Sequence, residues 1–378
     1  MNRVRVTTKH DSYDAIVELH CIERAAEFIH PLTSNRRLFV VADTRVLEYH
    51  SSLLERGLTG MDFVTIPFDG GEKHKRLDQI ELLAKQMHSA GADRSACVIA
   101  FGGGVIGDIA GFLAASYMRG IDIIHIPTTL LSQVDASVGG KTGVNLTEGK
   151  NLIGAFHQPL LVLVDPTVLD TLPEREYRAG LFEVIKYGVI WNSALFNLLK
   201  EDRDSVLKKD RDTLESLIAD SIKIKAEIVA QDERENDLRR ILNYGHTLGH
   251  PLEAETNYIR LLHGEAVGFG MVAASRLAKL LGMFDEAECA SLEALIAAYG
   301  PIPELTGIDP VNIVSRIHGD KKTLKGHVHF VLPERIGAVR VVRDPDPSLV
   351  MTATRTTLES FGPDSSFTTP TPSSAVSL

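Results

Sequence analysis

Four short runs, Leu38–Ala42 (LFVVA), Cys97–Phe101 (CVIAF), Ile123–Pro127 (IIHIP) and Leu161–Val164 (LVLV), are almost wholly apolar. A strand with one face in water alternates apolar and polar residues, whereas a continuous apolar run needs cover on both faces. Helical patterns separate these runs, including Leu77–Ala90 and the segment after Gly107. Each pair of strands therefore needs a crossover connection, and the expected fold is α/β with a largely parallel sheet. In such sheets ligands gather at the C-terminal ends of the strands.

After Pro173 the texture changes. Arg175–Lys200, Arg211–Asp232, Ile241–Glu255, Gly264–Leu281 and Glu286–Tyr299 all hold helical periodicity. A length of 378 residues exceeds what one hydrophobic core usually serves. The expected division is an α/β domain over 1–173 and a mainly helical domain over 174–350. A late strand pair is expected near His327–Leu332 and Ala338–Val342. Residues 351–378 end in FGPDSSFTTPTPSSAVSL, which offers little to bury and predicts a disordered tail.

Fifty acidic against 40 basic residues give a net charge of −10, which does not favour a nucleic-acid partner. The three cysteines, Cys21, Cys97 and Cys289, form no C-x-x-C pair, so a reducing, cytoplasmic setting is expected. No apolar run approaches the length of a membrane span, and the first residues lack a signal-peptide pattern, so no membrane partner is expected.

An apolar strand runs directly into Gly102, Gly103 and Gly104, followed by Gly107, Asp108 and a helical pattern. Glycines let the backbone approach a ligand closely, and a helix start offers unpaired N–H groups, so a diphosphate suits this turn. The order is neither G-x-G-x-x-G nor a P-loop, and a purely structural tight turn is the alternative. Asp43 follows a predicted strand, where its carboxylate either accepts ribose hydroxyls or caps the next helix. Glu72 and Lys75, in DGGEKHK, are cofactor contacts or solvated surface.

Three of the 14 histidines, His246, His250 and His263, fall within NYGHTLGHPLE and LHGEAV. If the first segment is helical, His246 and His250 share a face one turn apart. Glu183 lies within the apolar helix pattern GLFEVIKYG, where burial is costly without a cation. Glu183, His246 and His263 are the candidate ligands of a borderline metal such as Zn²⁺, with His250 facing substrate. The alternative is a set of hydrogen-bonded histidines without an ion.

Asp135, Lys141, Asn145, Lys150 and Asn151 lie among glycines in QVDASVGGKTGVNLTEGKN. Lys186 follows Glu183 by three positions, and Lys225, Arg239, Asn243, Asp320, Lys321 and Lys322 add further polar groups. Singly, each charge reads as solvated surface; together, the basic groups suit a phosphate or carboxylate.

DGGEKHK, GGGVIGDIAGFLAASYMRG, IPTTLLSQVDASVGGKTGVN, GKNLIGAFHQP, LPEREYRAGLFEVIKYG, DERENDLRRILNYGHTLGHPLEAE, LLHGEAV and DKK occur in this order. The chain resembles the 3-dehydroquinate synthases, within the sugar-phosphate cyclase family. That resemblance implies a Rossmann-like nucleotide-binding domain, a mainly helical metal and substrate domain, and a site between them. It implies conversion of 3-deoxy-D-arabino-heptulosonate 7-phosphate, a phosphorylated keto-acid sugar, into 3-dehydroquinate and phosphate.

Carried over by motif, Glu183, His246 and His263 hold zinc or cobalt. Asp43, Asp69, Glu72, Lys75, Gly104, Val105, Ile106, Gly107, Asp108, Thr128, Thr129, Lys141 and Lys150 contact NAD. Asp135, Lys141, Asn151, Lys186, Lys225, Arg239, Asn243, His250, Lys321 and Lys322 serve the substrate. Arg119 reaches in from the partner in a homodimer. Pro251 departs from the family's usual alanine and is expected to loosen or kink the helix just after His250. Cyclases of sedoheptulose 7-phosphate or glucose 6-phosphate, and a metal-dependent alcohol dehydrogenase, are the competing readings.

Overall fold

The computed structural model describes every residue except 35, 236, 318–326 and 370–378. Its described residues divide into two compact units. The first comprises Met1–Tyr177 and Lys209–Arg234, and the second Arg178–Lys208 and Glu235–Leu378. The single cut expected at residue 173 is therefore corrected, because the helical segment 211–231 returns to the α/β unit.

The first unit runs β1 (Asn2–Thr7), β2 (Ser12–Val17), α1 (Ala25–Thr33), β3 (Leu38–Asp43), α2 (Thr44–Gly57), β4 (Phe63–Phe68) and α3 (Leu77–Ser89). It continues with β5 (Cys97–Gly102), α4 (Gly104–Ser116), β6 (Asp122–Pro127), β7 (Lys141–Leu146), β8 (Gly149–Phe156) and β9 (Leu161–Val164). Among the described residues, seven strands pair in the order β1-β2-β9-β6-β5-β3-β4. Only the β1–β2 pairing is antiparallel.

The side-chain period of two sorts β3 between two cores. Phe39 and Val41 join Val98, Ile109 and Leu113 on one face, while Leu38, Val40 and Ala42 join Ile29, Leu54 and Phe101 on the other. Each fully buried aliphatic or aromatic side chain contributes about 1.5–3 kcal/mol, which is why these strands read as unbroken apolar runs. β4 is half-exposed and carries Pro67, as an edge strand permits. That mixed pattern hid it from the sequence reading.

From β3 the chain steps to β4 on one side and then to β5 on the other. The ends of β3 and β5 thus form a topological switch point, where open α/β sheets bind ligands. Asp43 ends β3 and Gly102 ends β5.

The second unit takes up α5 (Glu174–Ile190), whose first residues belong to the first unit, then α6 (Ser193–Glu201) and α7 (Arg203–Leu207). The chain then forms α8 (Arg211–Gln231) in the first unit, where it packs against β1. Lys209 Nζ donates to the Leu169 carbonyl at 2.8 Å, and Arg211 pairs with Asp170, which anchors that return. The remaining elements are α9 (His246–Glu255), α10 (His263–Leu280), α11 (Glu286–Tyr299), α12 (Pro310–Ile317), β10 (His329–Arg335), β11 (Ala338–Arg343) and α13 (Pro347–Ser360).

α10 is buried on nearly every side and forms the centre of the second unit. The antiparallel β10–β11 pair lies where the late strands were expected. The expected tail is corrected: residues 347–360 form α13, and Phe361 stacks on Phe367 with ring centroids 4.5 Å apart. The Ile302 N–H donates to the Phe367 carbonyl at 2.8 Å, so two aromatic residues give the Ser/Thr/Pro-rich stretch something to bury. Residues 370–378 lie outside the described residues.

Candidate active site

In the first unit, β5 enters α4 through Gly103, whose extended backbone caps the helix without a side-chain acceptor. The Gly107 N–H bonds back to the Gly103 carbonyl at 3.0 Å. The N–H groups of Gly104, Val105 and Ile106 precede the first intrahelical bond and are left for an external acceptor. A Cβ on Gly103 would stand 3.0 Å from Cγ2 of Thr129, so the turn packs tightly on the loop after β6. In that loop Thr129 Oγ1 meets Ser132 Oγ at 2.8 Å, while the buried Thr128 Oγ1 has no partner.

Asp43 caps α2, accepting from the Arg45 N–H at 2.9 Å through Oδ1. Its Oδ2 lies 2.2 Å from where a Cβ on Gly70 would stand. The structure thus assigns Asp43 the capping role and leaves its second oxygen beside the glycine turn. Asp69 is exposed and accepts from Thr44 Oγ1 at 2.9 Å.

The turn containing Glu72 and Lys75 is stitched to the β7–β8 hairpin. Asn145 Nδ2 donates to Glu72 Oε1 at 2.8 Å, and its backbone N–H donates to the Lys75 carbonyl at 2.8 Å. Asn151 N–H donates to Asn145 Oδ1 at 2.8 Å. The buried Lys75 ammonium donates to Asp108 and to Asn151. Burial pushes the Asp108 carboxyl up, and Lys75 opposes that rise. Lys75 is therefore buried within a hydrogen-bonded network and the half-buried Glu72 is tied into it, so neither is simply solvated surface.

The α8 residue Lys225 is 6% exposed and pairs with Asp135, donating also to its carbonyl at 2.5 Å. Lys141 begins β7 on the surface, and Lys150 is half-buried in β8. Arg119 is exposed at a positive φ of 75°.

The second unit assembles the candidate metal centre. Glu183 is 0% exposed in α5, and neither oxygen meets a donor in hydrogen-bonding geometry, although Lys186 Nζ is in ion-pair contact with Oε2. Its Oε1 faces Nε2 of His246 and Nε2 of His263, each at 3.5 Å. The donor nitrogens of His246, His250 and His263 lie within 4.8 Å of one another. His250, expected to face substrate, is geometrically a third imidazole of this cluster.

Glycines make the convergence sterically feasible. Gly245 starts α9 at φ 78°, a left-handed conformation that a side chain disfavours. A Cβ on Gly270 would fall 1.7 Å from the Gly245 carbonyl, so the α9–α10 contact requires its absence. Pro251 does not end α9, which continues to Glu255, and the rings of His246 and His250 remain 5.2 Å apart. The helix therefore runs through Pro251 without a break in its assignment.

Each candidate ligand ring is held through its other nitrogen. His246 Nδ1 bonds to the Tyr244 carbonyl at 2.9 Å, and His263 Nδ1 lies 3.2 Å from Glu253 Oε2. Burial alone would lower the His263 imidazolium, but Glu253 and then Glu183 outweigh it and push it up to about 9. A buried carboxylate flanked by two imidazole nitrogens, each free to bind once any proton is displaced, fits a divalent cation. The buried Arg239 and the half-buried Asn243 lie just before α9, and Asn243 Nδ2 donates to Glu235 Oε1 at 2.5 Å. Lys321 and Lys322 fall outside the described residues.

The family model described as 3-dehydroquinate synthase N-terminal matches residues 65–179, and that for the C-terminal part matches 180–323. The 3-dehydroquinate synthase of Solibacter usitatus (strain Ellin6076) is 52% identical over 353 residues, covering 93% of this chain and 98% of that protein. The chain belongs to the 3-dehydroquinate synthase family.

The 3-dehydroquinate synthase of Koribacter versatilis (strain Ellin345) is 44% identical, over 93% of this chain and 97% of its own. Among solved structures, a 2-epi-5-epi-valiolone synthase from Streptomyces hygroscopicus subsp. jinggangensis 5008, with NAD⁺ and Zn²⁺ bound, is 31% identical with a TM-score of 0.86. The match covers 93% of this chain and 98% of that one. Glycerol dehydrogenase from Schizosaccharomyces pombe, 16% identical with a TM-score of 0.65, shares the fold alone.

Within this 3-dehydroquinate synthase family member, sequence reasoning missed Glu253 as a neighbour of the histidine cluster. The signal was present: His246, His250 and Glu253 are spaced i, i+4, i+7 on one face of α9. The Tyr244 carbonyl carried no such signal, because a backbone acceptor has no residue type to read.

Proposed function

We propose that this chain converts 3-deoxy-D-arabino-heptulosonate 7-phosphate into 3-dehydroquinate and inorganic phosphate, using NAD and a divalent cation, Zn²⁺ or Co²⁺. The observation that carries the reading is the convergence of buried Glu183 on Nε2 of both His246 and His263, at 3.5 Å each. It stands in a chain 52% identical to a 3-dehydroquinate synthase.

Glu183, His246 and His263 hold the cation. When bound, the nicotinamide supplies reversible oxidation of the C5 carbinol, which acidifies the neighbouring C–H, and the cation polarises the substrate's oxygens. The N–H groups of Gly104, Val105 and Ile106 receive the NAD diphosphate. Asp43, Asp69, Glu72, Lys75, Gly107, Asp108, Thr128, Thr129 and Lys150 complete that site. Lys75 and Asp108 fix the glycine turn to the hairpin, so the N–H groups are aimed before ligand arrives.

Lys141, Lys225 and Arg239 clamp the substrate's carboxylate and phosphate, because their charge serves every step. Asp135 orients Lys225, while Asn151, Lys186 and Asn243 contribute polar contacts, and Lys321 and Lys322 serve the same substrate. His250 passes a proton from the substrate hydroxyl to water. The departing phosphate takes the C6 proton, held by the lysines and Asn151.

A homodimer in the cytoplasm belongs to the same proposal. The exposed Arg119, held at positive φ, and three free, buried cysteines support it. No helix among the described residues is long and apolar enough to cross a membrane.

A second reading, another sugar-phosphate cyclase, is favoured by the likeness to a 2-deoxy-scyllo-inosose synthase complexed with carbaglucose-6-phosphate, NAD⁺ and Co²⁺. That chain is 25% identical with a TM-score of 0.82, covering 94% of this chain and 99% of its own. A substrate panel decides between them. The purified chain with NAD⁺ and Zn²⁺ should release phosphate and form 3-dehydroquinate from the heptulosonate phosphate. Preferential turnover of sedoheptulose 7-phosphate or glucose 6-phosphate would select the second reading.

A further inference from the structure

Glu253 has no part in the chemistry above, yet it is 2% exposed. It lies in the last turns of α9, where the helix dipole disfavours a negative charge. Burial and position both work against it, and each such effect raises the cost of keeping a carboxylate there. A compensating contact lies at His263, whose Nδ1 is 3.2 Å from Glu253 Oε2 and whose Nε2 faces Glu183.

His246 offers an internal comparison. Its Nδ1 is held by the Tyr244 carbonyl at 2.9 Å, and its Nε2 faces the same Glu183 oxygen. An acceptor at Nδ1 fixes the proton there and leaves the Nε2 lone pair for a cation. A carbonyl does this with a neutral dipole. A carboxylate also adds a full charge and raises the basicity of the ligating nitrogen.

We propose that Glu253 is a positioning residue of the metal centre: it orients His263 through Nδ1 and lends negative charge to that ring, without itself touching the cation. The proposal rests on the metal reading given under the proposed function. Glu253→Ala should weaken divalent-metal affinity by about 10–100-fold, the usual effect of losing a partner of a ligating histidine. Glu253→Gln keeps an acceptor oxygen but no charge, so its affinity should fall between those of the native protein and Glu253→Ala.

The test strips the full chain of metal and titrates Co²⁺ against a competing chelator, following the visible absorption bands. NAD⁺ binding and the melting curve serve as folding controls, and His263→Ala as the reference loss. Weaker binding with altered bands in Glu253→Ala, and an intermediate Glu253→Gln, supports the proposal. Native affinity and native bands in both variants overturn it while leaving the metal reading intact, provided His263→Ala still loses the ion. If the native chain binds no stoichiometric Co²⁺, or His263→Ala binds like native, the metal reading fails and this proposal with it. Should Glu253→Ala not fold, Glu253→Gln decides: native affinity overturns, and weakened affinity supports.

Discussion

Oε1 of Glu183 lies 3.5 Å from Nε2 of His263, across a helix contact that only a glycine allows. Gly264, next to His263, sits where a Cβ would fall 1.8 Å from the Ala179 carbonyl. Ala179 precedes Glu183 by one turn of α5, so the closeness of the two backbones sets the closeness of ligand to ligand.

Gly264→Ala therefore tests the scaffold directly. The added methyl must push α10 from α5, at a cost of about 1–3 kcal/mol. Chemical denaturation should show that loss together with weaker Co²⁺ binding. A fully stable variant with native metal affinity would contradict the geometric account.

Glu183→Ala removes the buried carboxylate and leaves Lys186 without its ion-pair partner there. Metal content by elemental analysis and turnover should fall together, the latter by at least about 10³-fold, or roughly 4 kcal/mol. Full occupancy with normal turnover would reject Glu183 as a ligand.

Metal loading should depend on pH through His263, whose imidazolium in the metal-free protein is pushed up to about 9. A cation must displace that proton, so apparent affinity should rise about tenfold per pH unit between about pH 7 and about pH 8, flattening above about pH 9. The stability sign is opposite. A folded value raised above the ordinary 6.5 stabilises the metal-free protein fully below that pH and ceases to do so as pH rises through about 9. Melting of the stripped protein across this window checks the second statement, and chelator competition the first.

Lys225→Ala removes the ammonium that pairs with Asp135. If that ammonium clamps substrate, kcat/KM should drop more than about 10-fold, or about 1.4 kcal/mol. Steady-state kinetics on the heptulosonate phosphate measures it; a smaller change would leave the clamp role to Lys141 and Arg239.

Turnover should leave no net NADH, because hydride removed from the substrate returns to it. Absorbance at the reduced nicotinamide band, recorded alongside phosphate release, separates this from a dehydrogenase. Stoichiometric accumulation would favour the alcohol-dehydrogenase reading.

Much of this was legible in one dimension. Apolar runs such as LFVVA announced doubly covered strands, the GGG turn announced a helix start with unpaired N–H groups, and the spacing of His246 and His250 announced a shared helix face. These are local regularities, fixed by side-chain period and backbone freedom within a few residues. Other features depended on distant partners. The return of α8 to the first unit, the ordering of the C-terminal aromatics and the capping by Asp43 were settled by what each segment meets. The same holds for the metal centre. Sequence supplied the donor types, but only packing through Gly245, Gly264 and Gly270 brings Glu183, His246 and His263 to one point, because burial and helix contact act between residues far apart in the chain.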